Sequence, residues 1–243
     1  GWIDKREEKH LLYLHFTMDD NLSLSEKIKE RYRSMYTGVF YRRYILGLWA
    51  MAEGIIYDMF DTAKHVISNL SELTNANCYV SCDYGTQNAT VFLLWCKDRL
   101  GRWVCCREYY YSGRDEERQK TDTEYADDLE QWLDGIKPVK MVIDPSAASF
   151  IAELKKRGYA IKKAKNDVLD GIRFVASLLN QGKIAISDQC PNTIKEFGSY
   201  IWDQKASERG EDKPVKQHDH AMDALRYFCY TIIRKPGSIS ILK

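Results

Sequence analysis

Three aspartates that lie far apart in the sequence have the residue type and surroundings for metal chemistry. Asp83 and Asp144 each end a short apolar run, and Asp223 lies in an amphipathic segment near the C-terminus. Because a buried carboxylate without a partner is very costly, such residues must be paired or hold a cation. Hard carboxylate oxygens are the preferred ligands of Mg²⁺ and Mn²⁺, and two such ions can hydrolyse a phosphodiester. We therefore expect these aspartates to converge on two Mg²⁺ or Mn²⁺ ions and to cut nucleic acid.

The segment around Asp223 supplies two further candidates. Asp219, Asp223 and Arg226 recur at i, i+4 and i+7 on one helical face, and His220 is also a neighbour of Asp223. His220 could be a metal ligand, could orient the attacking water, or could lie in solvent. Asp219 could be a spare metal ligand, a helix cap or a surface charge. The alternative for the whole face is a solvated helix with an Asp–Arg pair.

A second set of candidates could contact nucleic-acid phosphates without reading bases. These residues are Lys162, Lys163, Lys165, Arg173, Lys213 and Lys216. The formal net charge of the chain is only +1, so a basic surface could exist only as a local patch. The alternative for each residue is an ordinary solvated position.

Apolar and aromatic runs predict the elements that must position these residues. Short linkers separate three strand-like runs at 77–85, 90–96 and 103–111, which predicts an antiparallel meander. Downstream, the patterns alternate between helices (122–134, 146–157, 167–181, 194–201 and a final helix from 219 to before Pro236) and extended pieces (139–144, 160–161 and 183–186). This order predicts an α/β, ribonuclease H-like mixed sheet, with three antiparallel strands, then alternating helices and parallel strands, and helices on both faces. Such a sheet would bring the ends of its first and fourth strands together.

Composition limits the class of protein. With 243 residues, 44% hydrophobic and 29% charged, the chain has enough apolar residues for one good core with a small appendage. Seven cysteines without C-x-x-C spacing indicate reduced, buried thiols in a cytoplasmic protein. We see no signal peptide and no apolar run near the roughly 20 residues that span a bilayer, so no membrane partner is expected. The first residue is Gly1 rather than Met, and we expect a fragment.

Three motifs together indicate a family. They are Cys82-Asp83-Tyr84-Gly85 with Asn88-Ala89-Thr90, then Val142-Ile143-Asp144, then Asp219-His220-Ala221-Met222-Asp223-Ala224-Leu225-Arg226-Tyr227. In combination they resemble the large terminase subunit of tailed bacteriophages, and the runs 15–21 and 47–54 resemble the stretch that leaves its motor domain. The resemblance implies a DNA-packaging protein whose C-terminal domain is a metal-dependent endonuclease. That domain would cut concatemeric viral DNA with little sequence specificity.

The resemblance also implies roles, domains and partners. Asp83, Asp144 and Asp223 match the acidic metal ligands of the family, and His220 matches a histidine beside the third. No G-x-x-x-x-G-K-[ST] phosphate loop occurs, so no ATP should be hydrolysed by this fragment. Residues 1–72 would then be a partly disordered helical linker after the missing ATPase domain, and residues 73–243 the nuclease domain. The implied partners are double-stranded viral DNA, the small terminase subunit and the portal protein, in the cytoplasm of the infected bacterium and transiently at the procapsid.

Two other functions remain open at this point. One keeps the fold but changes the substrate, as in a ribonuclease H acting on RNA–DNA hybrids, a junction resolvase or a transposase-like enzyme. The other is a non-catalytic docking module that binds a portal or a small terminase subunit. The charged stretch 204–217, which contains Gly210 and Pro214, is predicted to project as a loop or hairpin and to control the access of duplex DNA.

Overall fold

A mixed sheet lies at the centre of the computed structural model, which describes residues 5, 7–10, 12–71, 73–85 and 88–234. Within those residues the sheet has seven strands: β1 (Val66–Ile67), β2 (Leu73–Asp83), β3 (Ala89–Asp98), β4 (Trp103–Ser112), β5 (Lys140–Ile143), β6 (Ile161–Lys163) and β7 (Ile184–Ser187). Their spatial order is β1-β7-β4-β3-β2-β5-β6. Strands β2, β3 and β4 form the predicted antiparallel meander, and every other pairing is parallel.

Helices connect and cover the strands. In the described part of the chain they are α1 (Glu26–Met35), α2 (Gly38–Tyr44), α3 (Thr62–His65), α4 (Asp122–Leu133), α5 (Ala148–Lys156), α6 (Val168–Asn180), α7 (Pro191–Ser199), α8 (Gln204–Glu208) and α9 (His220–Phe228). A short 3-10 turn (Met18–Asp20) precedes α1, and a wider helical turn (Cys229–Ile233) extends α9. Helix α7 ends two residues earlier than predicted, because Tyr200 adopts an extended backbone conformation.

Alternate residues of the central strands supply two apolar cores, one on each face of the sheet. On one face Trp95 packs against α9, where its ring stacks on that of Phe228 with centroids 4.3 Å apart. On the other face Phe92 packs against α4 and α5, beside Leu129 and Phe150. The predicted arrangement of helices on both faces is therefore confirmed.

The N-terminal segment contributes to the core beneath α9. Phe40 and Tyr57 are buried, and their rings lie 6.0 Å from Trp202 and 5.6 Å from Phe197. The division of the chain at residue 72 stays a prediction. Disorder before that point also stays a prediction, since residues 1–4, 6, 11 and 72 lie outside the described part of the chain. No helix that the structure describes is long and apolar enough to cross a bilayer.

The stretch 204–217 differs from the projecting loop or hairpin that its composition predicts. It begins with α8, where the Asp203 carboxylate accepts a hydrogen bond from the Ala206 amide at 3.0 Å. Ala206 and Ser207 are buried. A single antiparallel bridge joins Trp202 to Pro214. Five residues with one good cap and two buried side chains are enough for a docked helical turn, so only the later part of the stretch is irregular.

Candidate active site

The register of two parallel strands places Asp83 beside Asp144. Cys82 of β2 is paired with Ile143 of β5, so the two aspartates occupy the next position along neighbouring chains. Cys82 and Ile143 both belong to the core beneath α4 and α5. Because side chains of a strand alternate between faces, the position after each of them is on the opposite face, which α9 covers.

Tyr227 of α9 contacts one of the predicted aspartates, Asp144. Its hydroxyl donates a hydrogen bond to Asp144 Oδ2 at 3.1 Å. Burial raises the pKa of Tyr227, and the negative charges of Asp223, Asp83 and Asp144 raise it further.

His220, the first residue of α9, is bound to Asp83. Its Nδ1 lies 2.9 Å from Asp83 Oδ2, and only 20% of its side chain is exposed. Burial raises the pKa of Asp83 to about 6, although the hydrogen bond from His220 opposes the rise. Burial alone would lower the pKa of His220, but the hydrogen bond and charge of Asp83 outweigh it and the net shift is upward. The ring therefore does not simply lie in solvent.

Asp219 and Asp223 share one ammonium group. Lys216 Nζ lies 3.1 Å from Asp219 Oδ2 and 3.1 Å from Asp223 Oδ2. The other oxygen of Asp223 accepts a hydrogen bond from Arg226 Nη2 at 2.8 Å. Asp219 directly precedes α9, yet its side chain makes no capping hydrogen bond and the residue is only 5% exposed. Asp219 thus occupies the N-cap position of α9 without capping it through its side chain, and it is not a surface charge.

Asp144 is held by hydrogen bonds at the end of β5. The Ser146 amide donates to Asp144 Oδ1 at 2.7 Å, and the Asn166 side-chain amide donates to Oδ2. Burial raises the pKa of Asp144, but the hydrogen bonds from Ser146, Asn166 and Tyr227 outweigh it, so the net shift is downward. Asp144 therefore stays ionised at neutral pH, as a metal ligand must be.

An open cleft of about 550 Å³ lies beside the start of α9, and Asp144 and Tyr227 are not among the residues that line it. Asp83, Asp219, His220 and Asp223 line one side of it, and residues from the end of β4 and the turn after it line another. Among the latter, Arg114 is exposed and places a cation at the cleft. Sequence reasoning missed Arg114, because a single arginine in a charged loop carries no distinguishing pattern.

Comparison with known proteins decides the family. A family model described as the terminase RNaseH-like domain matches residues 103–230. This chain belongs to that family. The resemblance inferred from the three motifs is confirmed, as is the ribonuclease H-like fold.

Individual relatives of this terminase domain extend the match. The large terminase subunit of Escherichia phage T5 is 26% identical over 232 residues, which is 91% of this chain and 52% of that protein. The large terminase of a thermophilic bacteriophage, solved in complex with ADP, has 57% identity and a TM-score of 0.86, and the match covers 97% of this chain and 59% of that one. The chain thus spans little more than half of either relative.

A more distant structure shares the fold. The large terminase nuclease from thermophilic phage G20c, with bound magnesium, has 15% identity and a TM-score of 0.53. The match covers 75% of this chain and 98% of that one.

Glu196 positions the first turn of α9 in the terminase domain. Its Oε2 accepts hydrogen bonds from the amides of Ala221 at 2.8 Å and Met222 at 3.2 Å, and its Oε1 accepts one from the Tyr110 hydroxyl at 3.0 Å. A carboxylate at a helix N-terminus satisfies free amides and complements the helix dipole. Sequence reasoning missed this residue. The signal was present, since Glu196 follows Thr193 at helical spacing on the apolar face of α7.

A second carboxylate positions α7 itself. Glu108 of β4 accepts hydrogen bonds from the amides of Asn192 at 2.8 Å and Thr193 at 2.9 Å. The sheet thus fixes α7 through Glu108, and α7 fixes α9 through Glu196. This chain of contacts sets where His220 and Asp223 lie.

The six predicted phosphate contacts are dispersed. Lys216 lies in the cleft. Lys163 ends β6, and Lys165 directly precedes Asn166, which binds Asp144. The remaining three contact other groups. Lys162 Nζ donates to the Thr231 carbonyl at 3.3 Å, and Lys213 pairs with Glu211 at 2.6 Å. Arg173 pairs with Asp170 at 3.0 Å and stacks on Phe40. A nucleic-acid role for any of the six stays a prediction.

The carboxylate oxygens of the terminase site are suitable ligands for Mg²⁺ or Mn²⁺. In this structure, however, Asp83, Asp219 and Asp223 contact basic side chains. Among the residues that the structure describes, no three His, Cys, Asp or Glu side chains are grouped to hold a metal ion. Asp83 faces His220, and Asp223 lies between Lys216 and Arg226. Two features of these carboxylates fit a bound cation. Buried carboxylate oxygens converge on one cleft, and Asp219 and Asp223 together hold an ammonium ion.

Proposed function

We propose that this terminase domain is a metal-dependent DNA endonuclease of a viral DNA-packaging machine. The observation that carries the proposal is geometric: Asp83 and Asp223 line one cleft, and Asp144 follows the strand position paired with the one before Asp83. Membership of the terminase RNaseH-like family and the magnesium bound to the G20c nuclease support it. No nucleophilic side chain is needed, since metal-assisted hydrolysis uses water.

Asp83, Asp144 and Asp223 would hold the ions, with Asp219 as a further ligand. Two bound ions supply an activated water and stabilise the charge that develops at phosphorus and on the leaving oxygen. His220 fixes the orientation of the Asp83 carboxylate through the contact at 2.9 Å. Tyr227 does the same for Asp144 at 3.1 Å. Arg114, at the rim of the cleft, would bind a backbone phosphate without reading sequence.

The substrate and partners follow from the same proposal. The substrate is double-stranded viral DNA in concatemers, cut with little sequence specificity. The partners are the small terminase subunit and the portal protein, met in the cytoplasm of the infected bacterium and transiently at the procapsid. In the whole terminase, residues 1–72 link this nuclease domain to an ATPase domain, and the stretch 204–217 controls the access of DNA.

The test is plasmid nicking in the presence of Mn²⁺ or Mg²⁺. We expect the wild-type chain to nick DNA only with metal, and Asp83→Asn to lower the rate by at least about 100-fold, because a neutral amide replaces a charged ligand. Asp134→Asn is the matched control. It makes the same substitution at an exposed site outside the cleft, in a left-handed backbone conformation that asparagine tolerates. Full metal-dependent nicking by Asp83→Asn would contradict the proposal and favour a docking module.

The substrate class needs a separate comparison. Equal amounts of plasmid DNA, an RNA–DNA hybrid and a four-way junction are offered to the wild-type chain with Mn²⁺. We expect plasmid DNA to be cut at least as fast as the other two. Clear preference for the hybrid or the junction would replace the terminase substrate with that of a ribonuclease H or a resolvase.

A further inference from the structure

Lys216 places a positive charge where two buried carboxylates meet. Asp219 and Asp223 are 5% and 8% exposed, and each directs its Oδ2 to Lys216 Nζ at 3.1 Å. Asp219 Oδ2 is buried, and among the described residues the Lys216 ammonium is its only polar partner. A buried carboxylate in that state is a ligand for a cation.

The two cations that contact Asp223 differ in their freedom to leave. Arg226 is 2% exposed, and its aliphatic atoms lie against Gly171. Its guanidinium therefore stays with Asp223. The Lys216 side chain is 61% exposed and projects from the irregular segment after Pro214. Lysine is a compact charge on a flexible stem, so this ammonium can withdraw without disturbing the core.

We propose that Lys216 is a displaceable substitute for a divalent ion at the Asp219–Asp223 pair. A metal ion that enters between these carboxylates must displace the ammonium, so Lys216 lowers the affinity of that position for metal. The displaced side chain remains at the cleft, where it is free to pair with a DNA phosphate. This inference rests on the proposed function. It adds that Lys216 pairs with Asp219 and Asp223 before the metal ion binds and with a DNA phosphate afterwards.

The test measures metal binding directly, without DNA. Mn²⁺ is titrated calorimetrically into the wild-type chain and into Lys216→Met, which keeps much of the stem but removes the charge. We expect Lys216→Met to bind Mn²⁺ about tenfold more tightly or more, since the competing cation is gone. Lys213→Met is the matched control. It removes the same charge three residues away, where the ammonium pairs with Glu211 at 2.6 Å outside the cleft. Its Mn²⁺ affinity should stay within about twofold of the wild type.

A second measurement, thermal unfolding, reports how well the charges of Asp219 and Asp223 are compensated. Without metal, Lys216→Met leaves Asp219 and Asp223 less compensated, so its Tm should fall below that of Lys213→Met. Mn²⁺ should then raise the Tm of Lys216→Met by more than that of the wild type, because bound ligand stabilises the folded state in proportion to its affinity. Equal Mn²⁺ affinity of the wild type and Lys216→Met would overturn the proposal. So would a crystal of the wild-type chain with Mn²⁺ between Asp219 and Asp223 and Lys216 still in contact with both.

Failure of this inference is distinguishable from failure of the proposed function. If the wild-type chain nicks plasmid DNA with Mn²⁺ and Lys216→Met binds Mn²⁺ no more tightly, Lys216 does not compete with metal and the nuclease assignment stands. If neither protein binds Mn²⁺ and the wild-type chain does not nick DNA, both fall together.

Discussion

At the scale of single residues, the candidate active site depends on side chains that position α9 without contacting its aspartates. Glu196 touches neither Asp83 nor Asp144, yet its carboxylate binds the amides that begin α9. It is 4% exposed, and burial raises its pKa from an ordinary 4.5 to about 7. The folded protein therefore holds a proton on Glu196 more tightly than the unfolded chain does.

This difference predicts a pH dependence of stability. A carboxyl group whose pKa is raised by folding contributes stability that is fully present below about pH 4.5 and is lost as the pH rises through about 7. Glutamine at position 196 does not titrate. We expect the free energy of unfolding of the wild-type chain, relative to Glu196→Gln, to fall on the order of 3 kcal/mol over that range. Urea unfolding of both proteins at several pH values measures it, and two parallel profiles would show that Glu196 titrates as it does in water.

At the scale of elements, α6 and α9 pack closely because a glycine faces an arginine. A Cβ atom at Gly171 of α6 would lie 2.7 Å from Cγ and Cδ of Arg226. Arg226 is buried against Asp223 and cannot move aside. The glycine thus keeps α9 at the depth where Asp223 reaches the cleft.

Two alanine substitutions separate this contact from helix propensity. Gly171→Ala should destabilise the fold by about 1–3 kcal/mol through overpacking. Gly198→Ala, also within a helix, meets no atom within 4 Å and should be neutral or stabilise by up to ~1 kcal/mol. Thermal unfolding of both variants gives the comparison. A Gly171→Ala protein as stable as Gly198→Ala would mean that Arg226 repacks freely.

Much of the element order could be predicted from the sequence, because it depends on local patterns. The apolar runs before Asp83 and Asp144 identify β2 and β5, and the arc of apolar residues in α9 identifies its buried face. Contacts between distant residues leave no such pattern. Glu196 meets Tyr110 across 86 positions, and Tyr227 meets Asp144 across 83. Helical spacing indicates that Glu196 lies on a buried face but not which partner it meets, and a lysine in a charged loop looks solvated until the fold brings its partners to it.

At the scale of the whole molecule, residues before 72 and after 73 share one core. Val39, Phe40, Ala52, Ile56 and Tyr57 are all buried in the cluster that also holds Phe197 and Phe228. A bidentate pair between Arg43 and Asp212 joins α2 to the segment that carries Lys216. The family resemblance implies a separate N-terminal linker at residues 1–72. Aromatic residues at helical spacing do not reveal which surface they cover.

Truncation tests how far the two parts depend on each other. A protein that begins at residue 73 loses these five buried side chains together with Met35 and Ile45, and the larger apolar ones are worth about 1.5–3 kcal/mol each. The sum is comparable to the whole stability of a typical domain, so we expect loss of the cooperative thermal transition. A protein that begins at residue 22 keeps all of these side chains and should retain the transition. An unchanged Tm after removal of residues 1–72 would show that residues 73–243 fold as an independent domain.

The alternation of side chains along β2 has one more consequence. Val80 and Cys82 turn toward α4 and α5, and Asp83 turns the other way. Removing one residue between Tyr79 and Asp83 would leave the length and composition of the strand almost unchanged but would reverse the parity of every side chain beyond the deletion. The carboxylate would then enter the apolar layer, and Tyr84 would take its place on the face that α9 covers. For this protein, odd or even spacing along β2 decides whether Asp83 lines the cleft or lies in the apolar core.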